Sequence, residues 1–224
     1  MLRADIQEML RTIEVETLMT QGATGLSSLR PEVMDAMAKV PRHQFVPGHL
    51  RPHAYANGPL PIGSGQTISQ PFIVALMTDL LCPESDHVML EVGAGSGYQA
   101  AILSLLINKL YTIEIIPALA QEAALRLQEL GFDNVELRQG DGYQGWPEHA
   151  PFDGIIVTAA ASHVPKPLQE QLRPGGRLVI PVGLPHSSQE LVVLEKGRDG
   201  NFVTRDILSV AFVPLTGQGY GSDA

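Results

Sequence analysis

The sequence predicts an α/β protein with a doubly wound, mostly parallel sheet, an antiparallel edge at its C-terminal end and an N-terminal helical extension. Three observations support this prediction. Strand-like and helix-like patterns alternate through the middle of the chain, which is typical of a parallel sheet with covering helices. A glycine-rich turn follows the first of these strands. Near the C-terminal end, Asp199-Gly200 is a hairpin signal rather than a crossover.

The N-terminal region is predicted to begin with two helices. Apolar residues at helical spacing indicate that the first is amphipathic: Ile6, Leu10, Ile13 and Leu18. A second helix is predicted over 31–40, because Pro31 suits the first turn of a helix and Pro41 ends it.

A segment rich in Gly and Pro follows. Residues 57–71 read NGPLPIGSGQTISQP, which is too broken for either regular period, so we predict a long loop. Loops of that length inside a compact domain are usually functional. A helix is predicted over 71–81, with Ser69 or Gln70 as its cap.

The middle and C-terminal parts supply the sheet. Strands are predicted over 87–92, 110–114, 135–139, 154–158 and 177–182. Helices are predicted over 98–107, 117–130 and 167–172. The apolar segments 191–195 and 202–213 flank the hairpin signal and form the antiparallel edge. We expect one domain over 1–224, with a helical and loop region over 1–85, a core that carries the glycine turn over 86–184, and C-terminal strands and a tail over 185–224.

Charge and composition exclude several classes of protein. Lys and Arg number 15 against 24 Asp and Glu, a formal net charge of −9, which disfavours nucleic acid as a partner. The single cysteine, Cys82, fits a reducing compartment. The first ten residues carry charges and no apolar leader, and no run is long enough to cross a membrane. We therefore expect a cytoplasmic protein with no membrane association, and we expect it to be a monomer.

The turn after the first predicted strand reads LEVGAGSGY over 90–98. Its glycines, Gly93, Gly95 and Gly97, allow a tight turn and a close approach of backbone to ligand. A dinucleotide fingerprint would need a sixth-position glycine where this chain has Tyr98. Glu91 suits a cationic ligand better than a pyrophosphate, so the pattern indicates S-adenosylmethionine.

Two further acids support a nucleoside. Glu114 ends the second strand, 21 residues after Gly93, where an acid binds ribose hydroxyls in this topology. Asp141, in the turn after the third strand, is placed to accept from an adenine amino group. The alternative is that Glu91 and Glu114 are solvated strand ends and the glycines form only a tight turn.

Six segments in order resemble one enzyme family: VPRHQFVP (40–47), LPIGSGQTISQP (60–71), LEVGAGSGYQAA (90–101), GDGYQGWPEHAPFDGIIVTAAA (140–161), LRPGGRLVIPVG (172–183) and FVPL (212–215). The chain resembles bacterial protein-L-isoaspartate O-methyltransferases. QTIS followed by QP, with VPR and FVP upstream, is the most specific part. The resemblance implies a Rossmann-like methyltransferase fold and methylation of isoaspartyl residues in damaged proteins and peptides, and it also admits D-aspartyl residues.

The resemblance further implies site residues. Ser69 is the implied catalytic residue. The implied S-adenosylmethionine contacts are Gln66, Thr67, Ile68, Ser69, Glu91, Gly93, Ala94, Gly95, Ser96, Gly97, Glu114, Ile115, Asp141, Gly142, Thr158 and Thr216. The implied substrate contacts are Ile68, Ser69, Ala159, Ala160, Ala161 and Val182. Gln218 is a further candidate contact near the C-terminus.

The same residues bear on several other functions. A carboxyl methyltransferase for a small molecule or a dedicated peptide, and a cofactor-binding protein without activity, stay open. A nucleic-acid amino-methyltransferase is disfavoured by Thr158 and the alanines that follow it. A serine hydrolase is disfavoured because the residues around Ser96 do not form a G-x-S-x-G elbow. His49 and His53 have a metal-like spacing but no evident third ligand, so no metal site is expected.

Overall fold

A computed structural model describes residues 2–184 and 188–217. The chain begins with three helices: α1 (Leu2–Met19), α2 (Gln21–Thr24) and α3 (Pro31–Lys39). The prediction that Leu18 lies on the buried face of α1 is wrong, since its side chain is 58% exposed. The buried stripe is Met9, Ile13 and Thr17, whose i, i+4 spacing turns them towards the core. Pro31 and Pro41 bound α3 as predicted.

The long loop predicted over 57–71 contains a β-hairpin, which corrects that prediction. Strands β1 (Leu60–Gly63) and β2 (Gln66–Ile68) pair antiparallel. The turn between them places Ser64 at φ 51 and Gly65 at φ 72, the two successive positive values that a tight hairpin turn requires. Proline and glycine in the strands hid the period of two, while the Ser-Gly turn was the available signal.

Helix α4 (Pro71–Leu80) follows the hairpin. Gln70 occupies its N-cap position without a side-chain hydrogen bond to the helix, so Ser69 is not the cap residue. Apolar residues of α1, α3, α4 and the sheet form one buried cluster, which includes Ile13, Met37, Leu76 and Met89. This cluster anchors the N-terminal helices on the sheet.

The remaining chain forms the predicted doubly wound sheet. Its elements are β3 (Val88–Val92), α5 (Tyr98–Ser104), β4 (Lys109–Glu114), α6 (Pro117–Glu129), β5 (Val135–Gln139), β6 (Phe152–Val157), α7 (Lys166–Glu170), β7 (Leu172–Val182), β8 (Gln189–Lys196) and β9 (Phe202–Val210). The seven strands lie in the order β5-β4-β3-β6-β7-β8-β9. The pairs from β5 to β7 are parallel, and β8 and β9 are antiparallel, which confirms the fold class and its antiparallel edge.

Several boundaries differ from the sequence prediction, two of them in the C-terminal strands β7 and β9. β7 begins at Leu172, which pairs with Phe152, rather than at residue 177. β9 ends at Val210 rather than at residue 213, because the chain then leaves the sheet edge. Val213 accepts a hydrogen bond from the amide of Ala160, and the amide of Leu215 donates to the Ala160 carbonyl. The last described segment is thereby carried across the carboxyl ends of the strands.

Strand order reverses beside β3, since β4 pairs with one side of it and β6 with the other. A crevice over the carboxyl ends of two such strands is where open α/β sheets bind ligands. None of the helices in residues 2–184 and 188–217 has the length and apolar character needed to span a lipid bilayer.

Candidate active site

A cleft of about 860 Å³, counting the solvent at its mouth, lies over the carboxyl ends of β3 and β6. Its walls are formed by the glycine turn, the end of β4, strand β2 with Ser69 after it, and the segment after β9. Most of the predicted cofactor contacts line it: Gln66, Thr67, Ile68, Ser69, Gly93, Ala94, Gly95, Ser96, Glu114, Ile115, Gly142, Thr158 and Thr216. Gln218 lies outside the described residues.

The glycine turn bends sharply as β3 ends. Gly93, Gly95 and Gly97 have φ values of 97, 53 and 86, which only glycine adopts easily. A Cβ at Gly93 would overlap the hydroxyl of Thr158, which donates to the Gly93 carbonyl at 2.5 Å. Gly97 does not line the cleft, because it faces Leu127 of α6 and lets that helix pack closely.

Glu114 is the acid on the cleft wall. Its two carboxylate oxygens accept the backbone N–H groups of Gly95 at 2.7 Å and Ile116 at 2.9 Å. Each carboxylate oxygen has a further lone pair, so Glu114 can brace the glycine turn and still accept from ligand hydroxyls. This position matches the one predicted from its spacing to Gly93.

Glu91 is not on the wall, which corrects its predicted contact with a cationic ligand. Strand alternation turns Glu91 to the face opposite Val92, and Val92 is the neighbour that lines the cleft. Glu91 is fully buried and accepts a 2.5 Å hydrogen bond from Thr112, while its Oε1 has no partner among the described residues. Burial raises the pKa of Glu91 to about 8, repulsion from Glu114 adds to the rise, and the Thr112 bond opposes it.

Asp141 is also absent from the cleft wall. Its carboxylate accepts from the amide of Tyr143 at 2.9 Å and lies close to Gly217. The neighbouring Gly142 lines the cleft instead, and a Cβ there would overlap the side chain of Val92. The turn after β5 therefore approaches the cleft with its backbone rather than with the predicted acid.

Ser69 lies where the cleft meets a second groove. The groove encloses about 990 Å³, again counting open solvent, and shares Thr67, Ser69, Thr158 and Val213 with the cleft. The Ser69 carbonyl accepts from Arg42 at 2.7 Å. Within the described part of the chain the Ser69 hydroxyl makes no hydrogen bond, which leaves it available to a ligand.

The predicted substrate contacts are only partly brought together. Ile68, Ser69 and Ala159 line the cleft. Ala160, Ala161 and Val182 line neither cavity. Ala160 pairs with the segment after β9, and Ala161 bridges to Val182, so their backbones build the wall from behind.

Sequence reasoning missed several lining residues. Val74 and Met77 of α4, Tyr98 and Gln99 of α5, and Val213 to Leu215 also face the cleft. Apart from Gln99, these residues are apolar or aromatic like those of the core, so periodicity gives no sign of a ligand. The FVPL motif at 212–215 was the one available signal.

Comparisons with known proteins agree with this geometry. Residues 14–219 match the sequence profile of the family "Protein-L-isoaspartate(D-aspartate) O-methyltransferase". The chain is 60% identical over 210 residues to protein-L-isoaspartate O-methyltransferase 2 of Syntrophobacter fumaroxidans, covering 94% of this chain and 85% of that protein. It is 61% identical over 199 residues to the protein of the same name from Polaromonas, covering 89% and 94%. A solved protein-L-isoaspartate O-methyltransferase superposes with a TM-score of 0.80 at 26% identity, over 95% of this chain and 66% of that chain.

Proposed function

The chain belongs to the protein-L-isoaspartate(D-aspartate) O-methyltransferase family, and we propose that its cleft carries methyl transfer from S-adenosylmethionine to the free α-carboxylate of an L-isoaspartyl residue in a damaged protein or peptide. This proposal rests on the position of Ser69. Ser69 borders both the cleft and the groove, so one residue is in reach of a donor in the first and an acceptor in the second.

The residues of the cleft fit S-adenosylmethionine. Gly93 and Gly142 lack the Cβ that would collide with Thr158 or Val92, so their backbones pack closely against these side chains in the cleft wall. Glu114 would accept the ribose hydroxyls with the lone pairs that the backbone amides do not use. When bound, the donor supplies a methyl group activated by a positively charged sulfur.

The acceptor needs no base from the chain. An α-carboxyl has a reference pKa of about 3.3 to 3.7 and is ionised at neutral pH. The task left to the protein is to hold the carboxylate in line with the methyl group and to exclude water. Well-oriented proximity can lower a barrier by roughly 7 to 11 kcal/mol. The Ser69 hydroxyl would provide the orienting hydrogen bond.

The groove would hold the peptide on either side of the isoaspartyl residue. Its walls come from Pro59, Gln70, Ile73 and residues 209–213, so both sides belong to one chain. Since neither cavity needs a second copy, we propose that the protein acts as a monomer. The net charge of −9 and the single Cys82 support action in the cytoplasm on protein rather than nucleic acid.

The test is a matched pair of peptides. Radiolabelled S-adenosylmethionine is offered with two peptides of one sequence, one with an isoaspartyl and one with an aspartyl linkage. We expect a base-labile ester on the isoaspartyl peptide alone. Equal labelling of both peptides contradicts the proposal, and strong competition by small carboxylic acids favours the small-molecule alternative.

A further inference from the structure

Arg42 is a buried cation beside the turn that carries Ser69. It opens a short 3₁₀ helix, Arg42–Gln44, and its side chain is 0% exposed. Nε donates to the carbonyl of Ala54 and Nη2 donates to the carbonyl of Ser69, both at 2.7 Å. The guanidinium carbon lies 4.7 Å from the centre of the Tyr98 ring.

Among the described residues, this cation has no carboxylate partner. None of the ion pairs among residues 2–184 and 188–217 includes Arg42, and its Nη1 makes no hydrogen bond there. Burying a charge costs several kcal/mol, and an apolar side chain of similar volume is often no less stable in such a place. Stability alone therefore does not account for an arginine at this position.

The contacts of Arg42 join three segments, two of which line the cleft. Ala54 precedes the hairpin, Ser69 follows it, and Tyr98 is the first residue of α5 after the glycine turn. Tyr98 itself lines the cleft. The planar guanidinium can bind two carbonyls in a fixed fork while it faces a ring, which a lysine ammonium cannot do.

We propose that Arg42 is a positioning residue for methyl transfer: its guanidinium fixes the backbone at Ser69 relative to the start of α5, so that the Ser69 hydroxyl faces the acceptor carboxylate. This inference rests on the proposed function. A misplacement of about 1 Å can cost on the order of 100-fold in rate, so a looser Ser69 turn lowers turnover even when both ligands bind.

The test is a double-mutant cycle between Arg42→Lys and Ser69→Ala. Turnover is measured at saturating S-adenosylmethionine and isoaspartyl peptide, and S-adenosylhomocysteine affinity is measured by calorimetry. We expect Arg42→Lys to lower kcat about 10- to 100-fold, and by no more than Ser69→Ala does, while the Kd for S-adenosylhomocysteine stays within about threefold. Because Arg42 acts through Ser69, the double variant falls within about twofold of Ser69→Ala alone.

Arg30→Lys is the matched control. Arg30 also binds backbone carbonyls, those of Asp79 and Pro83, and it pairs with the Asp79 carboxylate, all away from the cleft. We expect its kcat to stay within about twofold of the wild type, with any loss confined to thermal stability. If the Arg42→Lys variant shows no cooperative thermal transition, Arg42→Gln replaces it in the cycle. The glutamine removes the buried charge and keeps an amide donor.

Three results overturn the proposal: additive losses in the cycle, an unchanged kcat in a folded Arg42 variant, or a loss of S-adenosylhomocysteine affinity equal to the loss of kcat. Each of these leaves the proposed function standing, because wild-type turnover of the isoaspartyl peptide is measured in the same assay. If the wild type does not methylate that peptide, the proposed function fails and this inference fails with it.

Discussion

Replacing Glu91 with glutamine is expected to stabilise the protein, and to do so increasingly as the pH rises. Glu91 is fully buried, and desolvation raises its pKa from 4.5 to about 8. A glutamine has nearly the same shape, and its oxygen can still accept from Thr112. The variant removes a group that must either bind a proton or carry a buried charge.

The direction of this pH dependence follows from the number of protons that the folded and unfolded states bind. Between pH 4.5 and about 8 the folded protein holds a proton on Glu91 that the unfolded chain has lost, so the free energy of unfolding falls as the pH rises. The loss of stability caused by Glu91 is absent below the pKa of the unfolded state, 4.5, and complete above the pKa of the folded state, about 8. At 1.36 kcal/mol per pKa unit, the full cost is about 5 kcal/mol, of which about 3 kcal/mol develops between pH 5.5 and 7.5.

Urea denaturation at pH 5.5, 6.5 and 7.5 measures this difference. Subtracting the free energies of unfolding of the two proteins at each pH cancels the titrating groups that do not interact with Glu91. Glu14→Gln, at an exposed position on α1, is the control for the loss of one surface carboxylate. Parallel stability curves for wild type and Glu91→Gln would refute the reasoning that Glu91 is buried and protonated.

Three further substitutions test the cleft. Ser69→Ala should lower kcat about 10- to 100-fold, which corresponds to the loss of a hydrogen bond to a charged group, with little change in cofactor affinity. Turnover within about twofold of the wild type would disprove the orienting role. Glu114→Ala should weaken S-adenosylhomocysteine binding by tenfold or more in calorimetry, about 1.4 kcal/mol, and an unchanged Kd would remove it from the site. Gly142→Ala should lower the free energy of unfolding by about 1 to 3 kcal/mol and weaken cofactor binding, because the added Cβ meets Val92. Gly22→Ala is the control: its Cβ meets no atom, so the substitution should be neutral or stabilising.

The sequence predicted the sheet well because its signals are local. Each parallel strand is a short apolar run, and each crossover helix has its own start or stop residue, such as Pro117 or Gly131. Glu114 was placed correctly on the cleft wall because strand length and spacing fix the end of β4. The hairpin at β1 and β2 was missed because its strands are short and contain Pro61 and Gly63.

The errors at the site have two physical causes. Adjacent residues of a strand face opposite ways, so Glu91 and Val92 could not both face the cleft, and only the packing of the helices decides which one does. Ala160, Ala161 and Val182 are held behind the wall by pairing with residues far away in sequence. Such long-range pairing leaves no trace in the spacing of motifs.

A crystal structure with S-adenosylhomocysteine and an isoaspartyl peptide bound together tests the central claim most directly. We expect the nucleoside beside Glu114 and the glycine turn, the peptide in the groove along residues 209–213, and the free carboxylate within hydrogen-bond distance of the Ser69 hydroxyl, pointing at the sulfur. A nucleoside outside this cleft, or a carboxylate bound away from Ser69, would contradict the account.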